Sequence, residues 1–313
     1  MSGRRGLTGI FTPTITIFKD TPDQEIDIEA NQKHILYLAQ SGIHGALIQG
    51  STGEQIALTR EERIQLTKST REILDKNGFD NFTIMAGAGG QSVQESVTLA
   101  RDAASAGADY AVVLPPSFFA PSMTADALEA FYREVADKSP IPILIYSWPG
   151  VSSGLEVTSD GIKRLAQHPN IVGIKQTDHN VGKMARNVYQ NPGFYVLAGA
   201  SDYLIGGLAV GIQGSITGIT NFFPRTILYL YNIFKEGKFD EARQLQGQVS
   251  AAEWAILANG IPSAKYATQL FRGYGGIPRR PLPPPPLAAQ QQVKDLMSGV
   301  AQFEQSLSAK AKA

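Results

Sequence analysis

The chain has 313 residues, 28 Lys plus Arg against 28 Asp plus Glu, and no cysteine. Zero net charge offers no electrostatic footprint for nucleic acid or an anionic membrane. The missing cysteine excludes disulfides, thiolate metal sites and a cysteine nucleophile.

Four histidines (His34, His44, His168 and His179) are scattered without ligand spacing, so no metal is expected. No stretch approaches the roughly 18 apolar residues of a membrane span. The opening MSGRRGLTGIFTP has two arginines but no apolar run behind them, and the ending SAKAKA matches no retention or peroxisomal address. These features predict a soluble cytoplasmic protein.

In chain order, eight short runs read as strands: IFTPTITI (10–17), GALIQ (45–49), FTIMAG (82–87), YAVVL (110–114), IPILIY (141–146), IVGIK (171–175), FYVLA (194–198) and SITGI (215–219). Most are continuously apolar, as expected of parallel strands covered on both faces. Helical patterns lie between them. Residues 27–41 open on Asp27, while 59–76 and 92–106 open on Thr59/Glu62 and Ser92/Glu95 at capping-box spacing. Three helices end in a glycine leading into a strand, in QSGIHGALI, SAGADYAVV and AVGIQGSIT. This repeated joint suggests one βα unit used many times.

Eight alternating strands favour an α/β fold of the (β/α)8 TIM-barrel type over a doubly wound sheet. Residues 1–223 are expected to form the barrel core. Residues 224–313 are expected to supply C-terminal helices at 224–236, 238–258, 263–272 and about 288–309, including the last barrel helix. A proline-rich spacer at 278–287 would pin the final helix across the body, and no independent second domain is required. Its alternative reading is a docking ligand for another protein.

In such a barrel the active site lies at the C-terminal strand ends. The sixth strand ends at Lys175, where a dry environment would keep the amine neutral and nucleophilic. The plainer alternative is a rim ion pair. Tyr146 ends the neighbouring strand, placed to move a proton beside that amine, or else to serve as an amphipathic rim residue. GSTGE (50–54) offers hydroxyls and backbone N–H groups that suit a carboxylate, and it also reads as an ordinary turn. AGAGGQS (86–92) lacks the third glycine of a dinucleotide fingerprint and reads as a turn plus an N-cap, so no nucleotide cofactor is expected.

With GSTGE, YSWP and GIKQTD in this order on strands two, five and six, the chain resembles the dihydrodipicolinate synthase and N-acetylneuraminate lyase superfamily of pyruvate-using class I aldolases. The resemblance implies Lys175 as the Schiff-base lysine and Tyr146 as the proton shuttle. It also implies Ser51 and Thr52 as holders of the keto-acid carboxylate, with Thr52 relaying a proton to Tyr146. Ile216 would line the pyruvate pocket.

Departures narrow the reaction. Val151 replaces the arginine that dihydrodipicolinate synthases place after YNVP, and Phe118 in PPSFFAPS replaces their second tyrosine. Ser201 and Asp202 keep half of the acidic pair that sialic acid lyases use for a polyol. YSWP and GYGGIPRRPL are nearest the eukaryotic 4-hydroxy-2-oxoglutarate aldolase and 2-keto-3-deoxy-L-galactonate aldolase branch. The expected activity is cleavage of a 4-hydroxy-2-oxo acid, foremost a 2-keto-3-deoxy sugar acid, into pyruvate and an aldehyde. The alternatives are a 4-hydroxy-2-oxoglutarate aldolase, a dihydrodipicolinate synthase-type condensation or dehydration, and a silent keto-acid sensor. No metal or organic cofactor is implied. The resemblance further implies a homotetramer built as a dimer of dimers, with Phe118 at the dimer contact, and the loops near Phe118, Trp148, Val151 and Ser201 would shape the aldehyde end.

Overall fold

A computed structural model describes residues 6–310. The elements run β1 (Gly9–Pro13), α1 (Ile28–Gln40), β2 (Gly45–Ile48), α2 (Arg60–Lys76), β3 (Thr83–Gly87), α3 (Val93–Ser105), β4 (Tyr110–Val113) and α4 (Ala125–Lys138). They continue with β5 (Ile143–Ser147), α5 (Ser159–Leu165), β6 (Ile171–Gln176), α6 (Val181–Gln190), β7 (Tyr195–Ala198), α7 (Leu204–Ala209), β8 (Gly214–Ile216) and α8 (Pro224–Lys235). Three further helices follow: α9 (Phe239–Leu257), α10 (Gly260–Arg272) and α11 (Leu287–Lys310). The eight strands pair in sequence order and close into a barrel, with β1 parallel to β8.

The period of two along each strand divides the core into two layers. Phe11, Leu47, Met85, Leu144, Leu197 and Ile216 fill the barrel interior. Ile10, Ala46, Ile84, Ile145, Ile174 and Val196 point outward under the helices. The caps read from sequence are present. Asp27 accepts from Ala30 N–H at the start of α1, and Thr59 and Glu62 form a reciprocal capping box on α2. On α3 Ser92 caps Glu95 N–H, but the Glu95 carboxylate reaches back to Gln91 N–H instead of Ser92. The three glycine joints share one geometry. Gly42, Gly107 and Gly211 have φ of +86°, +99° and +92°. In each, the following N–H bonds a carbonyl five residues back, as Ile43 does to Leu38.

Two strands are shorter than expected by more than one residue. β1 stops at Pro13 and does not run to residue 17. Beyond it Asn221 takes over the backbone, accepting from Ile15 N–H and donating to Pro13 O. β8 ends at Ile216, and residues 218–221 coil into a 3-10 turn that delivers Asn221 to that position. At the C-terminus, α11 packs on α8 and α9. Its buried Glu304 accepts from the N–H groups of Arg225 and Thr226, supplying the α8 N-terminus with the acceptor its own N-cap residue, Phe223, lacks. No helix among the described residues is long and apolar enough to cross a membrane.

Candidate active site

β5 and β6 run in register from Leu144↔Gly173 to Tyr146↔Lys175. The register slips between Ile143 and Leu144, so Val172 is an extra residue on β6. This bulge shifts the inward–outward phase and points Lys175 into the barrel beside Tyr146. Gly173 is required here, since a Cβ would lie 2.6 Å from the Tyr195 carbonyl of β7.

Three lysines of the described chain are buried: Lys175, Lys183 and Lys265. Lys183 pairs with Asp178 and Glu156, and Lys265 with Glu54. No carboxylate pairs with Lys175 among the described residues. Its Nζ lies 4.1 Å from the centroid of the Tyr146 ring. Burial without a counter-ion pulls its pKa from the ordinary lysine range down to about 7, so much of the amine is neutral at physiological pH. The rim ion pair therefore finds no partner.

Burial raises the pKa of the Tyr146 phenol well above its usual value, while the Ser51 and Thr177 hydroxyls act in the opposite direction. Both hydroxyls are buried, and neither forms a hydrogen bond of good geometry elsewhere. They are free to turn toward the phenol.

The GSTGE segment forms a tight turn. Its internal bonds use the N–H groups of Gly53, Glu54 and Gln55, leaving those of Ser51 and Thr52 outside it. Gln49 and Glu54 flank it with φ of +57° and +54°, a left-handed conformation that is rare for residues with side chains. Thr16 from the β1 side donates to Gly53 O and fixes the turn against the barrel.

The sequence expectations divide at this point. Lys175, Tyr146 and Ser51 converge, and Ile216 is fully buried in the barrel interior on β8. Of the two hydroxyls of this turn, it is that of Ser51 that acts on the Tyr146 phenol. Phe118 is 78% exposed and packs edge-on against Phe119. Ser201 is buried, and its N–H and hydroxyl both donate to Glu253 of α9. That hydroxyl is thus engaged by a protein carboxylate.

Thr177 and Glu253 escaped the sequence reading. Thr177 had a signal, because two residues past Lys175 along a strand is the same face. Gly199 makes room for it: a Cβ there would sit 1.8 Å from Thr177 Oγ1. Glu253 had none, since its partners Ser201 and Thr217 lie on other elements. Its burial and the nearby Asp202 charge push its pKa up to about 7. Beside it, His179 lies 3.2 Å from Asp202, and its ring is tilted against that of Tyr203 with centroids 4.7 Å apart. The Asp202 bond raises its pKa against a smaller opposing effect of burial.

A closed parallel barrel with an unpaired, half-neutral lysine and a tyrosine at its C-terminal mouth is the architecture of a lysine-nucleophile enzyme. The chain belongs to the Dihydrodipicolinate synthetase family, whose model it matches over residues 6–300. It is 39% identical over 98% of its length, and 99% of the relative's, to an Emericella nidulans protein named "Probable 4-hydroxy-2-oxoglutarate aldolase, mitochondrial". It is 34% identical to an Aspergillus niger protein named L-threo-3-deoxy-hexylosonate aldolase, covering 96% of each chain. A crystal structure of a dihydrodipicolinate synthase family protein from Coccidioides immitis superposes with a TM-score of 0.88 at 36% identity, over 98% of this chain and 100% of that one. The mitochondrial name of the first relative gives the cytoplasmic expectation no support.

Proposed function

We propose that this protein is a Schiff-base aldolase that splits a 4-hydroxy-2-oxo acid, foremost a 2-keto-3-deoxy sugar acid, into pyruvate and an aldehyde. The observation that carries this reading is the buried Lys175 amine without a counter-ion, in register with Tyr146. Lys175 adds to the C2 carbonyl and loses water to give a protonated imine. The C3–C4 bond then breaks toward that imine as the C4 hydroxyl gives its proton to the Tyr146 oxygen, which has lost its own proton through the Ser51 hydroxyl to solvent once the imine is cationic. The aldehyde leaves, the enamine takes a proton at C3, and water releases pyruvate from Lys175. Ser51 and Thr52 hold the carboxylate through their hydroxyls and unused N–H groups.

The sugar acid is preferred because hydroxyl partners surround the mouth. Thr177 Oγ1 and Asp202 Oδ1 are buried without partners. The second carboxylate of 4-hydroxy-2-oxoglutarate would need a cation. His179, raised in pKa but already facing Asp202, favours that second reading. The relative named L-threo-3-deoxy-hexylosonate aldolase supports the first reading, and the one named 4-hydroxy-2-oxoglutarate aldolase supports the second.

The deciding experiment is borohydride reduction with pyruvate followed by peptide mass spectrometry. A reduced pyruvyl adduct on Lys175 is expected, and an unmodified Lys175 overturns the reading. Release of glyceraldehyde from the deoxy sugar acid, compared with glyoxylate from 4-hydroxy-2-oxoglutarate, then ranks the substrates. We also propose a homotetramer in which a second copy covers the exposed Phe118–Phe119 pair. Light scattering at four times the chain mass tests it.

A further inference from the structure

The proline-rich segment after α10 runs over the catalytic face and grips the GSTGE turn. Glu54, the last residue of that turn, has a side chain only 2% exposed. Its Oε1 lies 2.6 Å from the Nζ of Lys265, which is fully buried in α10, and its Oε2 accepts from Arg279 N–H at 2.8 Å. Lys265 also donates to Ile277 O at 2.8 Å. The Phe18 ring sits between the two cations, 4.3 Å from Lys265 Nζ and 4.4 Å from the Arg279 guanidinium. That guanidinium donates to Ala57 O and Gln24 O and forms a bidentate pair with Glu62. Gln24 closes the clamp by donating to Pro278 O and accepting from Arg280 N–H.

An ion pair this deeply buried is a poor way to gain stability, because desolvating both charges offsets most of their attraction. What it does supply is geometry. Glu54 is held in the left-handed conformation, and that backbone sets where Ser51 and Thr52 point. A residue in this region is retained when its surroundings over-determine it. Here the surroundings come from more than 200 positions away in sequence.

We infer that Glu54, Lys265 and Arg279 are positioning residues through which the 277–281 segment aims the Ser51–Thr52 turn at the substrate carboxylate. This rests on the reading above that the turn holds the carboxylate. The alternative is a staple that only fastens the C-terminal segment to the barrel.

The test is borohydride trapping on Lys175 as a function of pyruvate concentration, in Lys265→Met, Glu54→Gln and Arg279→Gln chains. Half-saturating pyruvate is expected to rise at least tenfold in each, with wild-type adduct yield at saturation. Trapping of acetone, a ketone without a carboxylate, is expected to stay at the wild-type rate. Folded variants whose half-saturating pyruvate stays within twofold of wild type overturn the inference. So does a loss of acetone trapping equal to that of pyruvate. If the single charge removals fail to fold, the Glu54→Gln/Lys265→Met double variant, which leaves neither charge buried alone, carries the decision. Failure of the wild-type chain to trap pyruvate would instead sink the aldolase reading itself.

Discussion

Lys175 and Tyr146 are register partners on adjacent parallel strands, with the amine 4.1 Å from the centre of the phenol ring. Neither side chain meets a counter-charge. The same burial that keeps the amine partly neutral keeps the phenol protonated. Once Lys175 becomes a cationic imine, its charge beside the ring favours the phenolate. The tyrosine is thus primed as a base only after the substrate is bound.

The unpaired lysine has a pH signature. Its folded pKa of about 7 lies below the 10.5 of an unfolded chain. Between those values the unfolded state binds the extra proton, so stability rises with pH, by at most about 1.4 kcal/mol per unit. Below pH 7 the penalty is fully present. A Lys175→Met chain is expected to lose this rise and to be more stable than wild type at pH 7, as well as losing the pyruvate adduct. Urea melts of both chains from pH 6 to 10 check it, and parallel curves would contradict it.

Tyr146→Phe separates the two steps. The imine still forms, so pyruvate trapping persists. Turnover of the hydroxy-oxo acid is expected to fall by about 10²–10⁴, the usual worth of a positioned proton donor. Single-turnover cleavage beside the trapping assay measures both, and equal loss in the two would refute the assignment.

Gly199→Ala probes Thr177. The added Cβ lands 1.8 Å from Thr177 Oγ1, and Gly199 does not have a positive φ, so space is the sole conflict. Overpacking of this kind costs about 1–3 kcal/mol. Thr177→Ala in the same chain removes the closest contact but leaves the Thr177 Cβ and Cα at 2.6 and 2.9 Å, so it is expected to return part of the melting temperature without returning cleavage. Recovery of cleavage would show that the Thr177 hydroxyl is dispensable.

Glu253 titrates in the opposite sense to Lys175. Its folded pKa of about 7 lies above the ordinary 4.5, so the native state holds the proton across that window. Its effect on stability is therefore a fall between pH 4.5 and 7, again by at most about 1.4 kcal/mol per unit. A Glu253→Gln chain is expected to lack that fall. Denaturant midpoints at pH 5 and 7 in both chains decide, and an identical pH dependence would exclude Glu253 as the source.

Much of this was legible in the chain itself. Strand runs, caps and the Gly42, Gly107 and Gly211 joints are local, because apolar period, side-chain acceptors and φ preference act over a few residues. Lys175, Tyr146 and the GSTGE turn were readable for the same reason: each ends or follows a strand whose pattern is local. What the tertiary structure alone decided were relations between elements. The Val172 bulge sets which way Lys175 faces, and the fold brings the Ser51 hydroxyl to the Tyr146 phenol. Ser201 is claimed by Glu253 from α9, and Glu54 is claimed by Lys265 and Arg279. A strand's phase and a buried charge's partner depend on which distant backbone comes alongside, and no short stretch of sequence carries that information.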